Sequence, residues 1–171
     1  YMSTDIKGRI SINFATDSNG FNAGDCLVSA FDKIGKDGAK AILTRDEEYS
    51  LEALWHEVLH NTSNNNTILP NILDPMRGFE RVALETCHQL YARHTYSEFC
   101  KAIGYTVKHD AWVMASGYGY KDMVYNLRML LDVAKINESS FVKKLKPLLM
   151  GDYAEFQTRI KALLREMYKG K

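Results

Sequence analysis

Between Leu51 and His60 the apolar residues Leu51, Leu54, Trp55, Val58 and Leu59 recur at helical spacing. At about 100° per residue they share one broad face. His56 and His60 fall together on the other side, about 40° apart, with Glu57 and Ala53 flanking them. This segment therefore reads as a helix with one face for the core and a separate face for two imidazoles. Ser50 is a good N-cap for a start at Leu51, and the acidic residues before it can extend the helix upstream. The Asn-rich stretch from Asn61 to Asn66 should end it.

The flanks set the expected fold class. Arg9–Ala15 alternates apolar and polar residues at period two, which predicts a strand. Cys26–Phe31 is a short apolar run between Gly-containing turns and reads as a second strand. Ala39–Thr44 reads as a third, at the sheet edge, just before the histidine helix. Pro70 and Pro75 keep the following segment irregular. Long helices are expected from about Arg77 to Ile103, from Lys121 to Lys135, and from Phe141 to Tyr168 with a break near Gly151. The sum is an α+β chain. It has a small N-terminal antiparallel or mixed sheet of about three strands, the histidine helix, and a mainly helical C-terminal part. The 171 residues suffice for a single domain. Within it, residues 1–104 hold the strands and the histidine helix, and residues 105–171 form a helical subregion.

Charge narrows the partners. Lys plus Arg number 22 and Asp plus Glu 21, a net charge of +1 that lacks the basic excess of a nucleic-acid binder. No stretch of 18 apolar residues exists to span a membrane. Cys26, Cys87 and Cys100 are too few, and too irregularly spaced, for a disulfide framework or a Cys-x-x-Cys site. They read as buried small residues in a reducing compartment. The start, Tyr1-Met2-Ser3-Thr4-Asp5, carries no secretion signal, so a cytoplasmic location is expected, with a secreted effector as the alternative. Because the first residue is not Met, the chain is also expected to be a domain of a longer protein. The Asn61-Thr62-Ser63 glycosylation acceptor is read as accidental.

His56-Glu57-Val58-Leu59-His60 is an H-E-x-x-H string. Two imidazoles one turn apart can hold one Zn²⁺, and a third protein ligand leaves the fourth position for water. Zinc lowers the pKa of that water and polarises a carbonyl oxygen. Glu57, beside the metal without binding it, can take the proton and pass it to a leaving amine. A third histidine at the extended spacing is absent, since residue 63 is Ser and residue 66 is Asn. The remaining common ligand is a Glu on the next helix, and Glu80 and Glu85 are the candidates. They lie about 140° apart on a helix, so both cannot face one metal.

The H-E-x-x-H helix followed by a Glu-bearing helix resembles the zincin metallopeptidases of the gluzincin branch. Glu85-Thr86-Cys87-His88-Gln89-Leu90-Tyr91-Ala92 is similar, in part, to the E-x-x-A-N-x-F-A helix of compact phage-associated and repressor-cleaving members. His88 and Gln89 replace the Ala-Asn pair. Arg93–Phe99 also resembles the peptidase-like tails of phage head-morphogenesis proteins. The likeness covers residues 51–100 and leaves out the last 50. It favours Glu85 as the third ligand. Glu80 has the thermolysin-like spacing, 20 residues after His60, and a more apolar wheel face with Leu84, Cys87 and Tyr91. Glu85 is the choice, with His56 and His60.

The resemblance implies a zinc metallopeptidase acting on a protein or peptide substrate, of phage-associated type. The short chain, with only some 70 residues beyond the first 100, favours a selective enzyme, and the non-Met start a toxin-like domain. A catalytically degenerate binding or structural domain is the alternative. A gluzincin also needs a donor for the oxyanion. Tyr118 and Tyr120, in the Gly-containing loop Ser116–Tyr120, are the first candidates, with His88, His94 and His109 behind them. The oligomeric state is left open by these residues.

Overall fold

The computed structural model describes residues 2–5, 7–18, 20–62 and 79–169, without the side chains of Phe79 and Glu80. The fold is mostly helical with one small sheet. Strand β1, Met2–Thr4, pairs antiparallel with β2, Ile10–Ile12, in the register Met2↔Ile12, Ser3↔Ser11, Thr4↔Ile10. Asp5 builds the connection. Its Oδ1 accepts the backbone N–H groups of Lys7 and Arg9, and its Oδ2 meets the Arg9 guanidinium at 2.7 Å. The Arg9 N–H and guanidinium hold the Asp5 carboxyl below its ordinary pKa. Gly8, at φ 75°, supplies the left-handed turn residue.

Two of the three expected strands are corrected. Cys26–Phe31 lies inside helix α1, Ala23–Asp37. The buried residues Ala23, Leu27, Ala30 and Ile34 follow the helical period, whereas Cys26–Phe31 straddles both faces and leaves Val28 and Phe31 exposed. The Asn22 side chain caps α1 by accepting the Asp25 N–H at 3.0 Å, and Gly38, at φ 56°, ends it. Ala39–Thr44 is no edge strand. A 3₁₀ turn covers Gly38–Lys40, and the chain then runs extended with Ala41 and Leu43 buried and Ile42 exposed. The period-two alternation is real, but it seats two side chains in the core without pairing to the described sheet.

Helix α2, Arg45–His60, begins upstream of Leu51 because Thr44 and Glu47 form a capping box. The Glu47 N–H donates to Thr44 Oγ1 at 3.2 Å, and the Thr44 N–H donates to Glu47 Oε2 at 2.7 Å. Ser50, the expected cap, lies inside the helix with its hydroxyl turned back to the Asp46 carbonyl. Helix α3, Phe79–Ala102, matches the expected span among the described residues and ends before Gly104, at φ 85°. A seven-residue helix α4, Asp110–Ser116, was not expected. Helix α5 covers Lys121–Val133, α6 Glu138–Leu149 and α7 Tyr153–Lys169. The α6–α7 break falls at Gly151 as predicted.

The chain groups into two compact units, Tyr1–Val58 with Ala92–Gly119, and Leu59–Tyr91 with Tyr120–Lys171. Helices α2 and α3 each contribute to both. The first unit has a core of Leu27, Ala30, Ile34, Leu43, Leu51, Tyr96, Cys100, Tyr105 and Val113. In the second, α6 packs on α7 through buried Phe141, Leu145, Leu149, Phe156, Ile160 and Leu163. No helix among the described residues is long and apolar enough to cross a membrane.

Candidate metal centre

The wheel of α2 predicts one face for the core and a separate face for the two histidines. The helix is instead buried nearly all round, and its acidic residues and histidines must find partners inside the protein. His56 is 3% exposed, and the His60 side chain 13%. Both project from the last turns of α2, one helical turn apart, as the spacing requires.

Glu85 of α3 comes to His60, with its Oε2 3.3 Å from His60 Nε2. His56, His60 and Glu85 each offer one ligand atom, and these atoms all lie within 4.8 Å of one another. Bonds of about 2.0–2.1 Å in a tetrahedral arrangement put neighbouring ligand atoms ~3.3 Å apart. The His60–Glu85 separation already equals that edge. The donors, two imidazoles and one carboxylate, suit Zn²⁺. A Glu85 side chain only 16% exposed leaves limited access from solvent. These residues could hold a metal ion. The rival ligand Glu80 has its side chain outside the described residues, as do Pro70 and Pro75 altogether.

Glu57, between the histidines, is 9% exposed. The Thr4 hydroxyl at the end of β1 lies 2.8 Å from its Oε2 and 3.1 Å from its backbone carbonyl. The hairpin therefore orients this carboxylate by engaging one of its two oxygens.

Tyr118 is not brought to the histidines. Its hydroxyl donates to Asp46 at 3.0 Å, in the first turn of α2, about 15 Å along the helix from His56. Its ring packs among Tyr49, Phe21 and Trp112. Burial, then the bond to Asp46, pushes the phenol above its ordinary pKa. Arg93, almost wholly buried, fixes this loop by donating to the carbonyls of Gly117 at 2.6 Å and Gly119 at 2.9 Å. The Gly-containing loop is thus pinned by a guanidinium and an aromatic cluster. Tyr120 takes the N-cap position of α5 in left-handed backbone, at φ 51°, and is 40% exposed. His109 is committed to the start of α4. Its N–H donates to Glu48, and its ring Nε2 lies 3.2 Å from the Leu43 carbonyl.

The phenol beside the histidines is Tyr153, which sequence reasoning missed. Its hydroxyl lies 3.1 Å from His60 Nδ1 and 3.0 Å from His88 Nε2. His88 is fully buried, and its ring stacks on that of His60 at 4.2 Å. The only local signal is position. Tyr153 opens α7 directly after the Gly151 break, where Asp152 Oδ1 accepts the Ala154 N–H. Thr4 was missed too, because the three-residue strand β1 is too short to show a period. Of the three cysteines read as buried, Cys87 and Cys100 are buried and Cys26 is only half-buried on α1. Desolvation pushes both buried thiols up to about 12, which keeps them protonated near neutral pH in the absence of a metal.

No family model, curated protein or solved structure matches this chain. The functional reading therefore stands on the geometry of these side chains.

Proposed function

We propose that the chain is a zinc metallopeptidase of gluzincin type that hydrolyses peptide bonds in a peptide or protein substrate. The carrying observation is the convergence of His56, His60 and Glu85 on one point, with Glu57 between the two histidines. His56, His60 and Glu85 would hold Zn²⁺. When bound, the ion supplies an acidified water and polarises the scissile carbonyl. Glu57 is the general base. It takes a proton from the attacking water and delivers it to the leaving amine. Thr4 engages Oε2, which leaves Oε1 as the oxygen to carry the proton. The low exposure around His60 and Glu85 keeps bulk water from competing with substrate.

The Thr4–Glu57 bond also favours a second reading. In it the chain is a degenerate zincin-like binding or structural domain of a phage head-morphogenesis-type protein, and Glu57 only ties the hairpin to α2. Glu57→Gln separates the two, because the amide oxygen still accepts from Thr4 while the base is lost. The first reading expects about one zinc per chain by elemental analysis and cleavage of a peptide library. It expects hydrolysis to fall by about 10²–10⁴-fold in Glu57→Gln with zinc retained. Undiminished hydrolysis in that variant would sink it. Zinc uptake without cleavage of any peptide would favour the second reading.

A further inference from the structure

We propose that Tyr153 and His88 are positioning residues that set which ring nitrogen His60 presents to a metal ion. The inference rests on the metal-binding reading above and goes beyond it, to two residues that bind no metal themselves.

The geometry leaves few choices. His60 Nε2 lies 3.3 Å from Glu85 Oε2, and both residues belong to the candidate ligand group. His60 Nδ1 faces the Tyr153 hydroxyl, which also meets His88 Nε2. A phenol has one proton to donate. It cannot donate to both rings, so at least one imidazole must be a donor to the phenol oxygen. For Nε2 of His60 to bind a cation through its lone pair, the ring proton must sit on Nδ1. The order is then fixed along the row. His60 Nδ1–H donates to the Tyr153 oxygen, Tyr153 O–H donates to His88 Nε2, and the His88 proton sits on Nδ1. The His60 backbone carbonyl, 3.5 Å from the phenol oxygen, is a poorer acceptor than His88 at 3.0 Å.

The packing holds this order in place. The Tyr153 ring stands edge-on to both imidazoles, at 88° and 83°, while the imidazoles stack on each other. Tyr153 is 6% exposed. His60 is therefore held in rotation as well as in tautomer. An outer group that accepts the second N–H of a ligating histidine raises its basicity, and its loss typically weakens metal binding 10–100-fold.

The test is zinc affinity, measured by competition with a chromophoric chelator, for the wild type, Tyr153→Phe, His88→Phe and the double variant. Both substitutions keep a ring in place. Tyr153→Phe should bind zinc 10–100-fold more weakly. His88→Phe should show a smaller loss, and the double variant should be no weaker than Tyr153→Phe, because the row is already cut. In zinc-loaded wild-type protein, nitrogen-detected NMR of the His60 ring should find the proton on Nδ1, a readout that needs no variant to fold. Tyr153→Phe binding within twofold of wild type overturns the proposal. So do losses that multiply in the double variant, or a His60 Nδ1 without a proton. A wild-type chain that takes up no zinc overturns the metal reading and this inference together. Tight wild-type binding with an unaffected Tyr153→Phe overturns the inference alone.

Discussion

At the N-terminal end of α2, Glu47 and Glu48 are almost fully buried, and their carboxylates have permanent donors from the chain itself. Glu47 accepts from Ser29 Oγ at 2.6 Å, from Lys33 Nζ at 2.7 and 2.9 Å, and from the Thr44 N–H. Glu48 accepts from the Tyr105 hydroxyl and from the N–H groups of Lys108 and His109. At the C-terminal end of the same helix, His56 and His60 join the Glu85 carboxylate in a group whose ligand atoms lie within 4.8 Å of one another. The first end closes its charges with protons from many directions and leaves nothing to do chemistry with. The second end gathers two imidazoles and a carboxylate that could hold a metal ion. Burial alone does not separate structure from function along α2. The sign of what surrounds each group does.

The comparison breaks first at the histidine end. Zinc at a thousandfold above its Kd should stabilise the wild type by about 4.1 kcal/mol in denaturant unfolding. His60→Ala should gain nothing from zinc and show no hydrolysis. An equal zinc-linked gain in His60→Ala would place the metal elsewhere. Next comes the structural end. Glu48→Ala leaves one buried donor, the Tyr105 hydroxyl, and the part-buried N–H groups of Lys108 and His109 without their acceptor, so a loss of about 1–3 kcal/mol is expected. Zinc affinity at the folded protein should not change. A Glu48→Ala protein that keeps its stability but loses zinc would reverse the assignment of the two ends.

How much of this contrast can be read from residues alone follows from the range of the interactions. His56 and His60 depend on one helical turn, and the 3.6-residue period predicts them without tertiary knowledge. The same holds for α3, α5 and the α6–α7 break. Glu85 needed the added likeness to a metallopeptidase helix, because either candidate carboxylate fits a wheel. The short N-terminal elements failed for a local reason. A six-residue apolar run such as Cys26–Phe31 is compatible with both periods, and only the wider set Ala23, Leu27, Ala30 and Ile34, with the Asn22 cap, shows the helix. Thr44-Arg45-Asp46-Glu47 was a readable capping-box signature, and it places the start of α2 correctly. Helix α4 was hidden because its start is held by Glu48, some sixty positions away in the chain. Tyr153 was hidden likewise, since 93 residues separate it from His60. Tyr118 reads from sequence as a candidate oxyanion donor because no sequence pattern shows a buried Arg93 pinning its loop.

The smaller effects sharpen the structural end. Thr44→Ala removes one half of the capping box and should cost about 1 kcal/mol, checked by urea unfolding, with zinc affinity unaltered. An indifferent Thr44→Ala would mean that α2 is held by its flanks alone.

The last and smallest expected effect is a pH dependence at Glu47. Burial pushes its carboxyl up, but the bonds from Lys33, Ser29 and the Thr44 N–H outweigh it, so the folded pKa is lowered. A lowered folded pKa means that the unfolded chain binds the proton more readily. The contribution of Glu47 to stability is therefore fully present above the ordinary carboxylate range. It is lost as pH falls through the folded pKa. In Glu47→Gln the group no longer titrates. The stability gap between wild type and variant, followed by unfolding from pH 7 to pH 3, should be widest near neutrality and narrow in acid. A gap that stays constant over that range would show that the Lys33–Glu47 pair acts through shape rather than charge. The N-terminal end of α2 would then be held by packing, and charge closure would no longer distinguish it from the histidine end.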